Sequence, residues 1–473
     1  MPDTPSPSSD GGLIAPYEDA RVLIAPSSRQ PEHTSSLGTS VIALSMSLSY
    51  CLTYFWRYPI FVLPSNITLQ PVFSERMNVQ ACMSLAFIMG FGLAKPFAAT
   101  VASSSFFFRH RLKALLLLFT VSNYIIGLGN LSPAPGAKVG AVFLSSFCSS
   151  WIYGMMVTYL EGRRTTEALI AISSMCLAYA GNASRGLGRA VLDAGCSPEA
   201  MPILVGTVAW VPACGLLLIL DRAPRPSAAD VAERSRRAPM DFRAKRAFLT
   251  RWGGGVFLMM LAYALVTGVR SVRDLYSAQI FAAALDVAEA PPWIFLVADA
   301  PGAVLSAVAL VGVGAIRHSK RAMAVMLALM AIAICIGLGA TALFQLKLIG
   351  GVAWQLLLGT SVFVTYSLLS TPFYERLFAA TRTEGTISFL VFASDCFGYV
   401  VATSLLLYQD FGSTAAAEHG ASANREELAM FLRVQWGCSS AVLLTLLMAA
   451  VYFHVRVPQT PQEAHHEHFS EIN

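Results

Sequence analysis

DRAPRPSAADVAERSRRAPMDFRAKRAFLTRW, residues 221–252, is the longest polar interruption in a chain of 473 residues dominated by apolar runs. Nine of its 32 residues are Lys or Arg, and Pro224 and Pro226 stand near its start. Six apolar segments precede it and six follow it, each close to the roughly 17–25 residues that a helix needs to cross a bilayer. The stretch therefore divides the chain into two equal sets of predicted membrane helices.

The composition agrees with a membrane protein and disfavours other classes. Hydrophobic residues make up 55% of the chain and charged residues 13%, and the mean hydropathy is +0.58. Soluble domains carry about 25% charged residues. A soluble enzyme, a disordered chain and a disulfide scaffold are therefore disfavoured, and the net charge of +5 is too small to indicate nucleic-acid binding.

The predicted fold is an all-α membrane protein with twelve transmembrane helices in two six-helix bundles. The predicted spans are residues 40–63, 80–103, 113–131, 138–160, 167–184, 200–220, 253–272, 292–315, 322–344, 349–371, 386–408 and 431–454. The predicted organisation is a disordered cytoplasmic tail at 1–38, a bundle at 39–220, a basic cytoplasmic loop at 221–252, a bundle at 253–455 and a cytoplasmic tail at 456–473. This plan is that of the major facilitator superfamily, whose parallel repeats enclose a cavity near the middle of the bilayer.

The distribution of positive charge predicts the orientation. With the N-terminus in the cytoplasm, the tails and cytoplasmic loops hold 22 of the 33 Lys and Arg residues, and the opposite loops hold about nine. Cytoplasmic loops of membrane proteins carry such an excess of Lys and Arg. Both termini are therefore predicted to be cytoplasmic, in a membrane that the sequence does not identify.

Charged side chains inside apolar spans are costly and mark functional candidates. Arg57 lies about two thirds along the first predicted helix, and Arg270 lies about as far along the seventh, 213 residues later. We expect them to be pseudo-symmetric partners that clamp an anion, because the planar fork of arginine matches carboxylate and phosphate. Arg185 and Arg189 share one face of the fifth helix and are predicted to add positive charge to the site. In the alternative they lie at the water interface.

Two intramembrane carboxylates have open roles. Asp299 in the eighth helix and Asp395 in the eleventh would pair with the arginines when the site is empty, or would carry a coupled proton, as intramembrane carboxylates do in pumps and transporters. Lys95 lies in the inner half of the second helix, where a gate or an interfacial lysine is expected.

A cytoplasmic gate is predicted from charged residues at helix ends. The gate residues are Glu161, Arg163, Arg164, Glu375 and Arg376. The first three follow the fourth helix and the last two end the tenth, so ion pairs would exchange between the two halves. In the alternative, the first three belong to a charged loop in which a threonine caps the next helix.

Several stretches resemble a family of uncharacterised major-facilitator-like membrane proteins, a domain of unknown function. They are TYLEGRRTTE at 158–167, APM at 238–240 before RAF at 246–248, LVTGVRSVRD at 265–274, YERL at 374–377 and ASDCFGY at 393–399. The resemblance covers most of residues 40–455. It implies the fold and supplies no substrate.

The chain also has a distant similarity to the organophosphate:phosphate antiporters of the superfamily. There, an arginine after a tyrosine-containing stretch of the first helix and a second arginine on the seventh hold the phosphate. Tyr54 and Arg57 resemble the first element and Arg270 stands for the second. Residues 97–113 depart from the superfamily, because they contain no Asp or Glu for its acidic-then-basic signature between helices two and three.

These observations predict a secondary-active transporter of a small organic anion, such as a phosphate ester or a carboxylate, that works by alternating access. The expected partners are the anion, the lipid bilayer and, if Asp395 or Asp299 titrates, a coupled proton. No cofactor, metal or catalytic constellation is expected. The alternative is a non-transporting receptor or scaffold on the same fold, which would close the cavity with Arg–Asp pairs and apolar packing.

Overall fold

The structure is a computed structural model that describes residues 36–72, 74–102, 110–157, 159, 166–222, 242–381, 388–412 and 421–457. Most of the predicted tails and most of the basic loop lie outside these residues. The same holds for three of the predicted gate residues, Glu161, Arg163 and Arg164.

In the ranges that the structure describes, twelve long helical segments follow one another, with the short helices Pro59–Val62, Ser65–Thr68 and Ser277–Leu285 between them, and we number the long segments α1 to α12. They are α1 (Ser36–Leu52, continued by Tyr54–Arg57), α2 (Val79–Ala102), α3 (Arg111–Leu131), α4 (Pro135–Val157), α5 (Thr166–Asp193), α6 (Met201–Asp221), α7 (Phe242–Leu275), α8 (Pro292–Val297 and Ala300–Gly314), α9 (Ser319–Gln345), α10 (Gly351–Leu369 and Thr371–Thr381), α11 (Ser388–Gly412) and α12 (Ala421–Arg456). In the described part of the chain, nine helices are long and apolar enough to cross a membrane by themselves, and Val79–Lys95 adds a shorter apolar segment.

The helices pack as two six-helix bundles. In the first half, α4 contacts α2 and α3, while α6 contacts α1 and α3. In the second half, α7 contacts α11 and α12, while α10 contacts α8 and α9. The halves meet where α2 contacts α11 and where α5 contacts α8. The prediction of an all-α membrane protein with twelve helices in two bundles is confirmed.

The outer surface of the bundles explains why helices are the dominant structure. Val208, Val311 and Val451 are 64%, 72% and 66% exposed, as large apolar side chains are when they face lipid. A backbone in lipid has no water to bond, so its N–H and C=O groups are satisfied within the helix. Both described chain ends lie on one side of the bundles, because an even number of helices separates them. We call this side the N-terminal face and the other the opposite face.

The predicted helix ends differ from the structure where polar side chains have distant partners. α5 continues to Asp193, nine residues beyond the predicted end, because Asn182 and Arg185 are buried against the second half instead of lying in water. α7 begins at Phe242, eleven residues before its predicted start. Two short antiparallel strands, Pro71–Val72 (β1) and Ser74–Asn78 (β2), lie on the opposite face between α1 and α2.

Candidate functional site

A cavity of about 290 Å³ lies between the two bundles. Its charged lining residues are Arg57, Lys95, Arg270, Asp274, Glu375 and Asp395. Its seven tyrosines are Tyr50, Tyr54, Tyr58, Tyr153, Tyr263, Tyr366 and Tyr399. The volume is close to the lower end of the range for ligand pockets, about 300–1,000 Å³. Three of the five residues predicted to bind the anion, Tyr54, Arg57 and Arg270, thus line one cavity.

Arg57 is a buried cation that has no carboxylate partner in the described part of the chain. It ends α1, is only 2% exposed, and its Cζ lies 4.3 Å from the centre of the Tyr54 ring. Its Nε donates to the carbonyl oxygen of Thr53 at 3.0 Å, and its Nη2 donates to the hydroxyl of Thr53 at 2.7 Å. Among the described residues, no carboxylate lies within 4.0 Å of this guanidinium. Burying a charge is costly unless it is paired, so Arg57 favours an anionic ligand.

Arg270 already has a carboxylate. Its Nε lies 3.4 Å from Asp274 Oδ2, one helical turn further along α7, although the geometry does not make a hydrogen bond. Its Cζ lies 4.6 Å from the centre of the Tyr366 ring. An anion that bound Arg270 would therefore compete with Asp274 for the same guanidinium.

Behind the cavity wall lies a buried arginine–aspartate cluster made of Asn182, Arg185, Arg273, Asp274 and Asp299. Arg273 Nη1 lies 2.7 Å from Asp299 Oδ1, and both side chains are only 1% exposed. The Asn182 amide nitrogen donates to Asp299, and its amide oxygen accepts a hydrogen bond from Arg185 Nε at 3.1 Å. Arg185 also donates from Nη1 to the backbone oxygen of Asp274 at 2.7 Å.

This cluster joins the two bundles. Asn182 and Arg185 belong to α5 in the first half, whereas the other three residues belong to the second half. A buried ion pair costs desolvation of both charges, and removing one partner is strongly destabilising. The contacts between α5, α7 and α8 therefore close the cavity toward the opposite face with bonds that must be exchanged if the halves separate.

A second polar contact joins the bundles at the other end of the cavity. Lys95 Nζ in α2 lies 2.9 Å from Asp395 Oδ2 in α11. Tyr263 donates its hydroxyl to Asp395 Oδ1 at 2.7 Å and lies 3.2 Å from the Tyr366 hydroxyl. Lys95 follows Gln80, on the opposite face, by 15 residues, a rise of about 22 Å along a helix. The Lys95–Asp395 pair thus lies toward the N-terminal face.

The cavity wall repeats between the two halves. The first half-site is Tyr50, Arg57 and Tyr153, and the second half-site is Tyr263, Arg270 and Tyr366. Every member of the second half-site follows its counterpart by 213 residues. The rings of the two tyrosines pack in both, with centroids 5.0 Å apart in the first half-site and 5.4 Å apart in the second. Parallel repeats around a central site are typical of this architecture.

Several predicted site residues lie elsewhere. Neither Arg185 nor Arg189 lines the cavity: Arg185 is within the cluster, and Arg189 contacts Asp193 and Glu289 on the opposite face. Glu375 lines the cavity at its other end. Arg376 instead donates to backbone oxygens at the end of α8, including that of Ile316 at 3.1 Å, and so caps this helix.

The pairings of the predicted carboxylates differ from the expected ones. Asp299 pairs with Arg273, and Asp395 pairs with Lys95, so neither pairs with the two clamp arginines. The carboxylate beside Arg270 is Asp274, which was not a predicted site residue. The sequence does contain a signal for Asp274: it follows Arg270 by four residues on one helix, and side chains with this spacing are neighbours.

The described residues contain no group of three or more His, Cys, Asp or Glu side chains arranged to hold a metal ion. The cavity wall is built from charged side chains, phenol hydroxyls and aromatic rings.

Comparison with solved structures identifies the fold. A bacterial homolog of the human lysosomal transporter Spinster, in its inward-facing and unoccupied conformation, has a TM-score of 0.58 at 14% identity, covering 90% of this chain and 100% of that chain. The nucleoside transporter NupG has a TM-score of 0.54 at 11% identity, covering 88% of this chain and 99% of that chain. The predicted major facilitator fold is confirmed.

Comparison of sequences gives the family. No curated protein matches the chain. The family of unknown function DUF5690 matches residues 69–456, most of the two bundles, as the resemblance predicted. The similarity to organophosphate:phosphate antiporters stays a prediction. The chain belongs to the DUF5690 family of membrane proteins, whose function is unknown, and has the major facilitator fold.

Proposed function

We propose that this protein is a secondary-active transporter of a small organic anion, such as a carboxylate or a phosphate ester. The observation that carries the proposal is Arg57, a buried guanidinium in the wall of a central cavity with no carboxylate beside it in the described ranges. An entering anion gains a charge-assisted bond there without displacing another acid. The open cavity favours transport over a scaffold that is closed by Arg–Asp pairs.

Transport would proceed by alternating access of the two bundles. The contacts that would break toward the opposite face are those of the cluster and the hydrogen bond from Gln80 Nε2 to the Leu275 backbone oxygen, 2.6 Å long. The contact that would break toward the N-terminal face is the Lys95–Asp395 pair. Polar contacts suit this task, because each state can satisfy them with different partners or with water.

We also propose that Asp395 couples transport to protons. Its carboxylate holds Lys95 across the interface between the halves and accepts the Tyr263 hydroxyl. Protonation removes the charge that attracts Lys95, so α2 and α11 are released from each other. The same carboxylate thereby links proton binding to opening toward the N-terminal face.

The orientation and the domain organisation belong to the same proposal. The excess of Lys and Arg in the tails and even-to-odd loops supports cytoplasmic termini. The N-terminal face is then the cytoplasmic one. The bundles at 39–220 and 253–455 would be the moving units, with the loop at 221–252 as their tether. Labelling of single cysteines placed in the loop tests this orientation, and labelling from outside would contradict it.

The test of the function has two steps. Phosphates, sugar phosphates, carboxylates and neutral sugars or nucleosides are first screened for a rise in melting temperature of the purified protein, which reports binding. Uptake of the radiolabelled hits into proteoliposomes is then measured for the unmodified protein, Arg57→Gln and Arg433→Gln. Arg433 is an arginine of α12 outside the cavity, so it is the matched control.

We expect an anion to be taken up, and we expect only Arg57→Gln to abolish its uptake. Uptake of neutral solutes alone would overturn the anion proposal and make the arginines structural. Binding without any uptake, by a protein that is folded in the liposomes, would favour the receptor or scaffold.

A further inference from the structure

We infer that the transported anion carries an aromatic ring and that its acidic group pairs with Arg57 in the first half-site, whereas Arg270 in the second half-site is a positioning residue. This inference rests on the proposed function and names the substrate class of the same site. It follows from two independent features of the cavity, the unequal pairing of the two half-sites and the aromatic character of the wall.

The second half-site is satisfied by the protein itself. Arg270 has Asp274 at 3.4 Å, and the Tyr263 hydroxyl donates to Asp395 and contacts the Tyr366 hydroxyl. An acidic group arriving here would meet two carboxylates. It would have to displace one of them before it gained a bond.

The first half-site has the same residue types without these partners. Within the ranges that the structure describes, Arg57 has no carboxylate partner, and the hydroxyls of Tyr50 and Tyr153 make no hydrogen bond. All three side chains line the cavity. A guanidinium with unpaired hydroxyl donors in the same wall suits a carboxylate or phosphate, which accepts several hydrogen bonds. The acidic group therefore binds in the first half-site.

The rest of the wall selects the other end of the ligand. The cavity is lined by seven tyrosines and three phenylalanines, and eight of these ten rings pack against another of them. Tyr54 and Tyr58 stack with centroids 5.1 Å apart and an angle of 12° between the ring planes, and Tyr58 meets Phe87 edge to face at 5.2 Å. Such a wall presents both the faces and the edges of its rings. An aromatic ligand can therefore make stacked and edge-to-face contacts with it.

A matched pair of probes separates ring contacts from simple apolarity. Phenylacetate and cyclohexylacetate have the same acidic group and ring size, and phenyl phosphate and cyclohexyl phosphate form a second pair. A saturated ring is the more hydrophobic of the two, so burial alone favours the cyclohexyl compound. Ring–ring contacts of the usual strength give the phenyl compound an advantage of about 2- to 10-fold instead.

The experiment measures the dissociation constants of the four probes with the purified full-length protein by calorimetry. We expect the phenyl member of the pair that binds to bind about 2- to 10-fold more tightly than the cyclohexyl member. We expect Arg57→Gln to weaken it by about 10- to 100-fold, the size of a lost charge-assisted bond, and Arg270→Gln to weaken it clearly less. If Arg57→Gln does not fold, Arg57→Lys replaces it. This variant keeps the positive charge but loses the planar fork of the guanidinium, so it also reports whether Arg57 binds the acidic group.

The outcomes separate this inference from the proposed function. Equal or tighter binding of the cyclohexyl compound overturns the aromatic ligand and leaves an anion transporter. A larger loss for Arg270→Gln than for the Arg57 variants overturns the assignment of the first half-site. If none of the four probes binds while a non-aromatic anion of the transport screen does, the aromatic ligand is overturned and the anion transporter stands. If only neutral solutes bind, the anion transporter itself is overturned.

Discussion

The two half-sites of the cavity have the same residue types at the same spacing, and yet only the second is internally paired. The difference lies in two acids. Asp274 and Asp395 hold the second half-site, and the position 213 residues before Asp274 is Phe61. The repeat therefore supplies the shape of the cavity, and the acids make its halves unequal. The first half-site can bind the charge of an anion, whereas the acids of the second half-site hold the two bundles together.

Asn182 and Asp395 hold the two bundles together at opposite ends of the cavity. Asp395 pairs with a lysine at one end, whereas Asn182 bridges Asp299 and Arg185 at the other. An amide both donates and accepts, so it can join an acid and a base that belong to different helices. Asp395 and Asn182 thus each hold the two bundles together, one by an ion pair and one by an amide bridge.

The largest expected effect comes from breaking the arginine–aspartate cluster that joins the two bundles. Asp299→Ala leaves Arg273 buried without its carboxylate, so we expect a loss of about 3–5 kcal/mol of stability. Asp193→Ala, which removes a carboxylate that is 42% exposed, is the control and should cost about 0–1 kcal/mol. Thermal unfolding of the purified proteins measures both. Equal losses would contradict a structural role for the buried pair.

The comparison sharpens if the second half-site is made to resemble the first. Asp274→Asn removes the acid beside Arg270, so the cavity becomes more positive and we expect tighter binding of anions. One charge at about 8 Å contributes at most about a 30-fold change at an effective dielectric constant of 20. Titration of the anion found in the transport screen, with Asp193→Asn as the control, measures the change. Weaker binding would mean that Asp274 holds Arg270 in the conformation that binds.

The next largest effect is expected from removing the proposed proton-coupling group, Asp395. One proton carried with each anion supports about a 10-fold accumulation for each unit of pH difference across the membrane. Asp395→Asn keeps a hydrogen-bonding side chain and cannot titrate, so we expect this accumulation to disappear while exchange of labelled for unlabelled anion continues. Proteoliposomes with and without a pH gradient provide the measurement. If the variant still accumulates the anion, Asp395 is not the coupling group.

The smallest expected effect distinguishes equivalent tyrosines. Tyr153→Phe removes a hydroxyl that has no partner in the described part of the chain, and we expect anions to bind about 2- to 10-fold more weakly because one ligand hydrogen bond is lost. Tyr366→Phe is the matched change in the second half-site, where the hydroxyl already contacts Tyr263. We expect it to change the dissociation constant by less than about 2-fold. Equal effects would remove the distinction between the half-sites.

The fold could be predicted from the sequence because the bilayer restricts the choice of structure. Apolar runs of the required length become helices, and the basic loop divides them into two sets. The end of α5 was predicted too early, because Asn182 and Arg185 look like residues at a water interface when read alone. Their partners, Asp299 and Asp274, lie about a hundred residues away, and no local pattern reveals them.

The site could be predicted only in part for the same reason. Arg57 and Arg270 were recognisable, because a charge in an apolar run is rare and their spacing matches the repeat. The tyrosine pairs obey the same spacing of 213 residues, so this part of the wall was also available from the sequence. The sequence could not show which carboxylate pairs with which cation, because these pairs depend on how the two bundles meet across an interface.

The position of Arg270 within α7 has a consequence for the effect of membrane voltage. It lies 28 residues after the start of the helix and five before its end, about 42 Å and 8 Å along the axis. Arg57 is its counterpart in the first half-site, so an anion bound there lies nearer to the opposite face than to the N-terminal face. The electrical work of moving a charge, about 2.3 kcal/mol per 100 mV for the full thickness, therefore falls mainly on the step that connects the cavity to the N-terminal face.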